Sequence, residues 1–528
     1  MSPEVTNRQQ LVSEELREFA MTGPFGGIQS ELSLTGIEQL GFADARNFIF
    51  RKGRADLRPS YTALPALPAP SNEPILAIPS FYNSNGQQIQ CVITPTRLLQ
   101  FTGGGWVRIT GPAFTGSANQ LFAWDIIDQK LCFSQGTDPL FIWDGASSSY
   151  TQPAGAPPAS ILAEVAGHLL AVNPANPQTY LWSGLNDPTD WTSFSAGSNN
   201  FFNNLGPIHQ IIKIGQYGFG LYHDGIVQIV PTGIGTAPFA FYTIINASQG
   251  TIAPHSVDHF DDQGVEYGVY LGIDNVYVFN GSSVDSIGDR PIGGGKRYGA
   301  RSRILADVKT VDPHMIYGFV SYSIEGNIFK AYWLNIPNVA VWVYNFDEGN
   351  WTVFNYTNEI RTLGNFYQSS PIRIMDLVGS IESQSWTPAT LQSDDHFGGM
   401  LLGFNNGVGG FVDFTNYSEL PGSIISGSLI FGDRRHSHVV KKYRLSIRDA
   451  GSATYTMTLS NEKGYSQQQV FTLGSGSGDD LNYIMSFSIT GLRITWRLDV
   501  AAAQPASVIE FCPMYDVSGE QRGGVLEN

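Results

Sequence analysis

A short apolar or aromatic strand, a turn rich in Gly, Asn and Asp, and a second such strand recur seven times along the chain. The copies occupy residues 98–109, 141–145, 180–194, 220–229, 276–281, 342–354 and 401–414. Intervals of 41, 39, 41, 56, 68 and 58 residues separate their turn glycines, which are Gly104, Gly145, Gly184, Gly225, Gly281, Gly349 and Gly407. A four-stranded propeller blade takes about 40–45 residues, so the first three intervals are one blade long and the others allow insertions. The chain is predicted to be all-β, with a β-propeller of about seven blades, in a range of six to eight.

The pattern changes after residues 421–423, where several strands of alternating polarity begin. Their turn signals come every 8–14 residues or so, which is typical of an antiparallel β-sandwich. This sandwich is expected to recruit N-terminal segments and to form a separate platform. The predicted domains are an N-terminal helix, arm and proline-rich linker (1–74), the propeller (75–420), the sandwich or platform (421–516) and a flexible tail (517–528).

Residues 6–20 have the clearest helical pattern in the chain. Apolar residues recur at helical spacing, with Thr6 or Asn7 as the N-cap; they are Leu11, Val12, Leu16, Phe19 and Ala20. The pattern predicts an amphipathic helix that packs on its own domain or on a neighbouring subunit.

The chain of 528 residues carries few charges and a net charge of −16. Charged residues make up 14%, whereas soluble domains average about 25%. So little surface charge favours large contacts with other chains, or simply long polar loops. The acidic balance argues against tight binding to duplex DNA, which needs Lys and Arg. It is compatible with a wall that DNA slides past, and equally with solubility alone.

Cysteine usage and the N-terminus indicate synthesis and folding in a cytoplasm. The three thiols, Cys91, Cys132 and Cys512, are far apart in sequence and are expected to be reduced and buried. The N-terminus lacks a signal-peptide pattern, and no apolar run approaches the roughly 20 residues of a membrane helix. We expect no membrane insertion.

The motifs that resemble catalytic or metal sites are weak. The segment 293–299 fails as a phosphate loop because Arg290 and Arg297 stand where glycine and Ser/Thr are needed. Two clusters lack recognised metal-ligand spacing; they are Asp258, His259, Asp261 and Asp262, and Asp394, Asp395 and His396. We predict no catalytic residue, no metal ligand and no cofactor.

One dense basic run stands out, over residues 432–444. Its cations are Arg434, Arg435, Lys441, Lys442 and Arg444. They could meet an acidic neighbour in a ring, contact the phosphates of passing DNA, or protect an edge strand with charge. We favour a subunit contact over DNA binding.

The order of segments resembles the tail hub or nozzle proteins of short-tailed bacteriophages, also called packaged-DNA stabilisation proteins. The resemblance rests on GGIQ (26–29), ADARNFIFRKGRADLRPSY (43–61), the blades at 98–111 and 121–145, and the run from 165 to 191 that contains YLWSGLNDPTDW. It covers the chain to about residue 350 and is looser beyond. The turn at 57–61 departs from the family pattern because it lacks a glycine.

This resemblance implies a non-enzymatic structural protein of the virion tail, made in the host bacterial cytoplasm. A ring of six copies would lie below the portal and its adaptor protein and carry fibres or spikes. Its channel would retain packaged DNA and conduct it during ejection, touching the DNA transiently. The propellers would project outward, and the sandwich with the terminal segments would build the wall.

Two other functions remain open from the sequence. A carbohydrate-binding or glycoside-cleaving propeller would use aromatic faces against sugars, yet the repeated tryptophans are expected in blade cores; they are Trp143, Trp182, Trp191, Trp342 and Trp351. A propeller scaffold unrelated to phage would explain the repeats but not the C-terminal sandwich.

Overall fold

Six small antiparallel β-sheets and one end of a nine-stranded sheet are arranged around one axis as the seven blades of a propeller. The rest of the nine-stranded sheet and a seven-stranded sheet form a separate platform. The computed structural model describes residues 16–201, 204–244, 249–292, 296–321, 330–367, 398–413, 417, 420–431, 437–449, 453–472, 480–502 and 505–517. The prediction of an all-β chain with about seven blades and a platform is confirmed.

The first four blades follow one another along the chain. Blade one contains Ser80–Tyr82, Gln88–Ile93, Leu98–Phe101 and Trp106–Ile109. Blade two contains Ala123–Ile127, Lys130–Ser134 and Phe141–Trp143. Blade three contains Ile161–Val165, His168–Val172, Thr179–Trp182 and Gly197–Asn200. Blade four contains Ile208–Ile214, Tyr217–Tyr222, Ile226–Pro231 and Phe239–Thr243.

The last three blades complete the ring. Blade five contains Asp258–Asp262, Val265–Leu271, Val276–Phe279 and Val284–Ser286. Blade six contains Tyr317–Ser321, Ala331–Ile336, Ala340–Asn345 and Asn350–Phe354. Blade seven contains Ile360–Tyr367, Gly398–Phe404, Gly409–Asp413 and Ser60–Ala63. Each of the seven sequence repeats lies in a different blade, so the number of repeats equals the number of blades.

The propeller closes with a strand from far upstream. Ser60–Ala63 pairs antiparallel with Gly409–Asp413 and is the outer strand of blade seven. The expected boundary at residue 74 therefore cuts through the fold, because residues 60–63 belong to the propeller although they precede the linker. A shared apolar core that includes Ile78, Leu99 and Phe366 then joins blade seven to blade one.

The platform consists of two facing sheets built from both parts of the chain that flank the propeller. One sheet contains Phe42–Arg46, Gly422–Ser426, Ile494–Ala502, Ala453–Asn461 and Ser466–Thr472. The other contains Phe48–Arg51, Arg54–Leu57, Ala506–Val517, His438–Asp449 and Asp480–Gly491, with the short strands Arg17–Glu18 and Met21–Thr22 added to Ala506–Val517. Both sheets contribute buried side chains to one core, in which Trp496 stacks on Phe511 at 4.4 Å between ring centroids.

The propeller and the platform share a sheet. Asn350–Phe354 of blade six lies beside Phe42–Arg46 in a nine-stranded sheet that runs from the propeller axis to the far edge of the platform. The junction is a parallel pairing of Arg46 with Val353, and the Asn47 N–H donates to the Val353 carbonyl at 2.8 Å. Blade six is therefore fixed to the platform through backbone hydrogen bonds.

The helix predicted for residues 6–20 is wrong over its described part. Residues 1–15 lie outside the described residues, but Arg17–Glu18 is a strand that pairs with Met514 and Tyr515. The open side of Ala506–Val517 offers backbone partners here, and Phe19 packs edge-on against Phe431. These tertiary contacts override a local helical pattern. Within the described residues, the only α-helix is Arg301–Val308, and Pro254–Ser256 and Pro313–Met315 are short 3-10 turns.

The two outermost platform strands, Ser466–Thr472 and Asp480–Gly491, protect each other. The Gln467 side-chain amide accepts from the Ser488 N–H at 2.7 Å and donates to the Ser488 carbonyl at 3.1 Å. Phe471 also stacks on Tyr483 with 3.9 Å between ring centroids. Because an open strand edge invites pairing with another chain, these contacts restrict access to the edge of Asp480–Gly491.

Candidate functional site

The basic run divides between undescribed residues and a central strand of the platform. Arg434 and Arg435 lie outside the described residues. Lys441, Lys442 and Arg444 lie on His438–Asp449, which pairs with Asp480–Gly491 on one side and Ala506–Val517 on the other. The described part of the run is therefore not an edge strand, and the edge-protection interpretation does not apply to it.

Two of the three described cations are engaged within the chain. Arg444 forms ion pairs with Glu510 at 3.2 Å and Glu18 at 3.1 Å, and the hydrogen bond to Glu510 is the main cause of its raised pKa. Lys441 lies 3.6 Å from Asp516. Lys442 is exposed. Arg444 thus ties three neighbouring strands together, while Lys442 is the member of the run best placed to meet another molecule.

The propeller axis holds a polar cavity of about 360 Å³ to which all seven blades contribute. Its wall includes Trp124, Gln210, His255, Asp258, Tyr317 and Asn365. Further cavities lie along the axis on either side: one of about 340 Å³ shares Gln210 and Asp258 with it, and one of about 380 Å³ shares His255. We call the first the acidic end and the second the histidine end.

Carboxylates at the acidic end bond blade two to three, three to four and four to five. Asp125 of blade two accepts from the backbone N–H of Glu164 in blade three, and Glu164 is paired with Lys213 of blade four. Glu266 of blade five accepts from the Gly215 N–H of blade four. Burial is the largest cause that raises the pKa of Asp125 to about 6, and the charge of Glu164 adds to it.

Two of the metal candidates in blade five, Asp258 and Asp262, also form bonds between blades. We call these bonds and those of Asp125, Glu164 and Glu266 the carboxylate belt. Asp258 accepts from the Val320 N–H of blade six at 2.7 Å, and Asp262 pairs with Lys330 at 2.9 Å. Across the described part of the chain, no three His, Cys, Asp or Glu side chains converge on a metal position as they stand. The other candidates, Asp394, Asp395 and His396, lie outside it. The described carboxylates of this belt therefore serve to join neighbouring blades.

The histidine end gathers side chains that sequence reasoning missed. His209, His255 and His314 line the cavity of about 380 Å³, and the His223 ring lies 6.0 Å from that of His209. Burial lowers the pKa of His209 and of His255 to about 4, and the neighbouring histidines add to the effect. These imidazoles are therefore uncharged at neutral pH.

A sequence signal for this cluster existed in the repeats. Pro254-His255 and Pro313-His314 each form the 3-10 turn before an inner strand, and His209 stands two residues after Pro207 at the start of another. Equivalent positions of successive blades converge on the propeller axis. Three such histidines could therefore have been expected to meet.

The tryptophans of the repeats serve the blade cores. Trp143, Trp182, Trp342 and Trp351 are buried, and Trp191 is half-buried. The Trp143 indole N–H donates to the Ser147 carbonyl at 2.8 Å, and that of Trp351 donates to the Ile287 carbonyl at 2.7 Å. The expectation of core packing is confirmed for these four side chains. The three cysteines are likewise buried and unbridged, as expected.

No protein-family model and no curated protein matches the chain. Similar solved structures include the extracellular domain of BT4673 from B. thetaiotaomicron, with a TM-score of 0.40 and 11% identity over 80% of this chain and 47% of that one. The chain thus spans about half the length of that domain. The computationally designed protein Ika8 follows with a TM-score of 0.36, 8% identity and coverages of 67% and 99%.

The exo-β-1,3-galactanase of Phanerochaete chrysosporium has a TM-score of 0.26 and 10% identity, with coverages of 87% and 100%. Similarities this weak carry no argument about residues or function, so the site rests on its own geometry. Among the described residues, no helix is long and apolar enough to cross a membrane.

Proposed function

We propose that the chain is a structural protein of a short-tailed phage tail, a nozzle or hub whose copies form a ring around a DNA channel. The observation that carries the proposal is the platform, in which strands from residues 42–57 and 422–517 form two sheets with the propeller inserted between them in sequence. The resemblance to tail nozzle proteins implies such an arrangement, in which the propeller projects outward from the ring and the terminal segments build the channel wall.

The shared nine-stranded sheet supports this proposal mechanically. A ring that conducts DNA under pressure needs a stiff wall, and a fibre or spike bound to a propeller must transmit force to that wall. Backbone pairing between Arg46 and Val353 gives a more rigid joint than a flexible linker, because the hydrogen bonds fix both strands. The net charge of −16 adds support, since an acidic protein does not hold DNA tightly.

The geometry of the carboxylates also favours a structural role over glycoside hydrolysis. Asp125, with its pKa of about 6, is the described carboxyl closest to a general acid. Both of its oxygens already accept backbone hydrogen bonds, from Ile126 and Glu164. Four of the five repeat tryptophans are buried and offer no face to a sugar.

Electron-microscope class averages of the purified chain, alone and mixed with virion tails that lack it, test the proposal. We expect a closed ring with outward propellers, or matching density below the portal when the adaptor is present. A chain that stays monomeric and never joins a tail would overturn the proposal, and a glycan-binding screen would then be the next step.

The basic run gives a sharper test of the ring contact. Reversing the charge of Arg434, Arg435 and Lys442 to Glu should weaken ring assembly and change its salt dependence, because these cations are proposed to face an acidic neighbour. Lys309→Glu, at an exposed position of the propeller after the helix Arg301–Val308, is the matched control and should assemble normally. Equal assembly of both variants would exclude the run from the contact.

A further inference from the structure

The cavity at the histidine end has the size of a small-molecule site. Its volume of about 380 Å³ lies near the lower limit of such sites, which measure roughly 300–1,000 Å³. Residues from blades two to six, or from the turns that lead into them, build its wall. The His314 side chain on this wall is 63% exposed, so the cavity reaches the solvent there. The cavity therefore has room for one small ring-shaped molecule that enters beside His314.

Two polar side chains of the wall each hold a buried atom without a hydrogen-bond partner in the described structure. Gln135 is 2% exposed, and its Nε2 donates to the Ser117 carbonyl at 2.8 Å and to the Gln120 carbonyl. These bonds hold the amide in place, but its Oε1 has no partner, and neither has Nε2 of His209. Because a buried polar atom left unsatisfied is costly, both atoms call for a ligand. The ligand must offer an O–H or N–H to Oε1 of Gln135, which can only accept.

The wall selects an uncharged ligand. Among the described residues that form it, none is an Asp, Glu, Lys or Arg. Burial lowers the pKa of His209 and of His255 to about 4, so these imidazoles are neutral at pH 7. Asp312 lies outside the wall and is engaged by His314, whose Nδ1 is 3.1 Å from Oδ1 and whose backbone N–H donates to it at 3.0 Å. Since burying a charge without a partner is costly, this cavity does not suit an ion.

Most of the remaining wall is apolar and saturated. Four prolines contribute to it, together with three Leu or Ile side chains; the prolines are Pro174, Pro177, Pro207 and Pro254. A saturated ring that carries hydroxyl groups fits both parts of this wall. Its C–H faces pack against the apolar side chains, and each hydroxyl donates one hydrogen bond and accepts others. A monosaccharide is a molecule of this kind.

We infer that the cavity at the histidine end binds one neutral sugar ring, whose hydroxyl groups donate to Oε1 of Gln135 and bond to Nε2 of His209. The sugar is bound without being cleaved, because the described wall offers no pair of carboxyl groups for glycoside hydrolysis. The propeller alone builds this cavity, so sugar binding does not depend on the nozzle proposal.

Saturation-transfer NMR and calorimetry on the full-length chain test this inference, with glucose, galactose and mannose as the probes. We expect at least one of them to bind, with one sugar per chain. The uronic acid of the sugar that binds has the same ring with an added carboxylate, and it should bind at least tenfold more weakly because the wall is uncharged. His209→Phe keeps a ring of similar shape but removes Nε2, and should also weaken binding at least tenfold.

Two further variants keep the test decisive. Nε2 of His209 has no protein partner, so His209→Phe should not lower the melting temperature of the empty chain. His314→Trp places a larger side chain at the opening and should weaken binding without touching the buried wall. His259→Phe, at the opposite end of the axis, is the matched control and should bind like the wild type. Absence of binding by all three sugars, or binding that survives His209→Phe, would overturn the inference, as would an equal loss in His259→Phe.

Discussion

The propeller and the platform differ in how far along the chain their strands find partners. Within blades one to six, each strand pairs with its neighbour in sequence. In the platform, Phe42 pairs with Ser426 and Ala55 with Val508. Local pairs form quickly and leave a repeated pattern, whereas distant pairs must wait for the whole chain. Although the two regions share one sheet, we therefore expect them to differ in the cooperativity of unfolding and in their response to mutations.

The largest expected loss of stability comes from replacing a buried tryptophan in the platform core or in a blade core. Trp496→Ala in the platform and Trp143→Ala in blade two should each cost about 3–5 kcal/mol of unfolding free energy, because both indoles are fully buried. By hydrogen exchange, Trp496→Ala should expose Ala506–Val517 and spare blades one to five, and Trp143→Ala should do the reverse. An identical loss of protection in both variants would show that propeller and platform unfold as one unit.

The next effect is confined to the propeller and depends on pH. The folded pKa of Asp125, about 6, lies above the usual carboxyl value near 4. Between these values the folded state holds a proton that the unfolded state releases, so this group adds stability as pH falls from 7 to 4.

Asp125→Asn removes this titration. The difference in unfolding free energy between wild type and Asp125→Asn should therefore change by about 2 kcal/mol between pH 7 and 4, in favour of the wild type at low pH. Denaturant melts at several pH values measure it. Parallel curves for the two proteins would contradict the prediction.

A smaller effect is expected at the platform edge. Gln467→Ala removes both side-chain hydrogen bonds to Ser488 and should cost about 1 kcal/mol. It also opens the edge of Asp480–Gly491, so light scattering should reveal self-association at high concentration. Gln468→Ala, next along the same exposed strand, is the matched control. If both variants associate equally, the Gln467 amide does not protect the edge.

The smallest effect concerns the belt at the acidic end. Lys213→Met breaks the ion pair with Glu164, in which the lysine side chain is 44% exposed. Exposed pairs contribute less than about 1 kcal/mol, so the melting temperature should barely move, and less still at high salt. A loss comparable to that of Trp143→Ala would mean that the ion pair, rather than the blade cores, keeps adjacent blades together.

The contrast between local and distant pairing also explains what the sequence predicted. Each of the seven repeats identified a blade, because the two strands of a hairpin are close in sequence and appear together in one repeat. The helix over 6–20 was wrong at Arg17–Glu18, since the decisive partner, Ala506–Val517, lies some 500 residues away. The closing strand Ser60–Ala63 was assigned to the N-terminal arm for the same reason.

The candidate site followed the same division. The basic run could be recognised in the sequence. The ion pairs of Arg444 with Glu18 and Glu510 could not, because they join three strands from different parts of the chain. The histidines at 209, 223, 255 and 314 meet only after the blades form a ring. The equivalent positions of His209, His255 and His314 in the repeat could be read from the sequence, but the distances between their rings could not.

The upstream origin of the closing strand has a consequence for biosynthesis. Ser60–Ala63 leaves the ribosome about 350 residues before Gly409–Asp413, with which it pairs. At about 5–20 residues per second, translation of that interval takes roughly 20–70 s. During that time blades one to six are completed one after another in a ring that is still open, while the apolar strands at 42–57 wait for their partners. A chaperone that shields those early strands should therefore raise the yield of closed propellers.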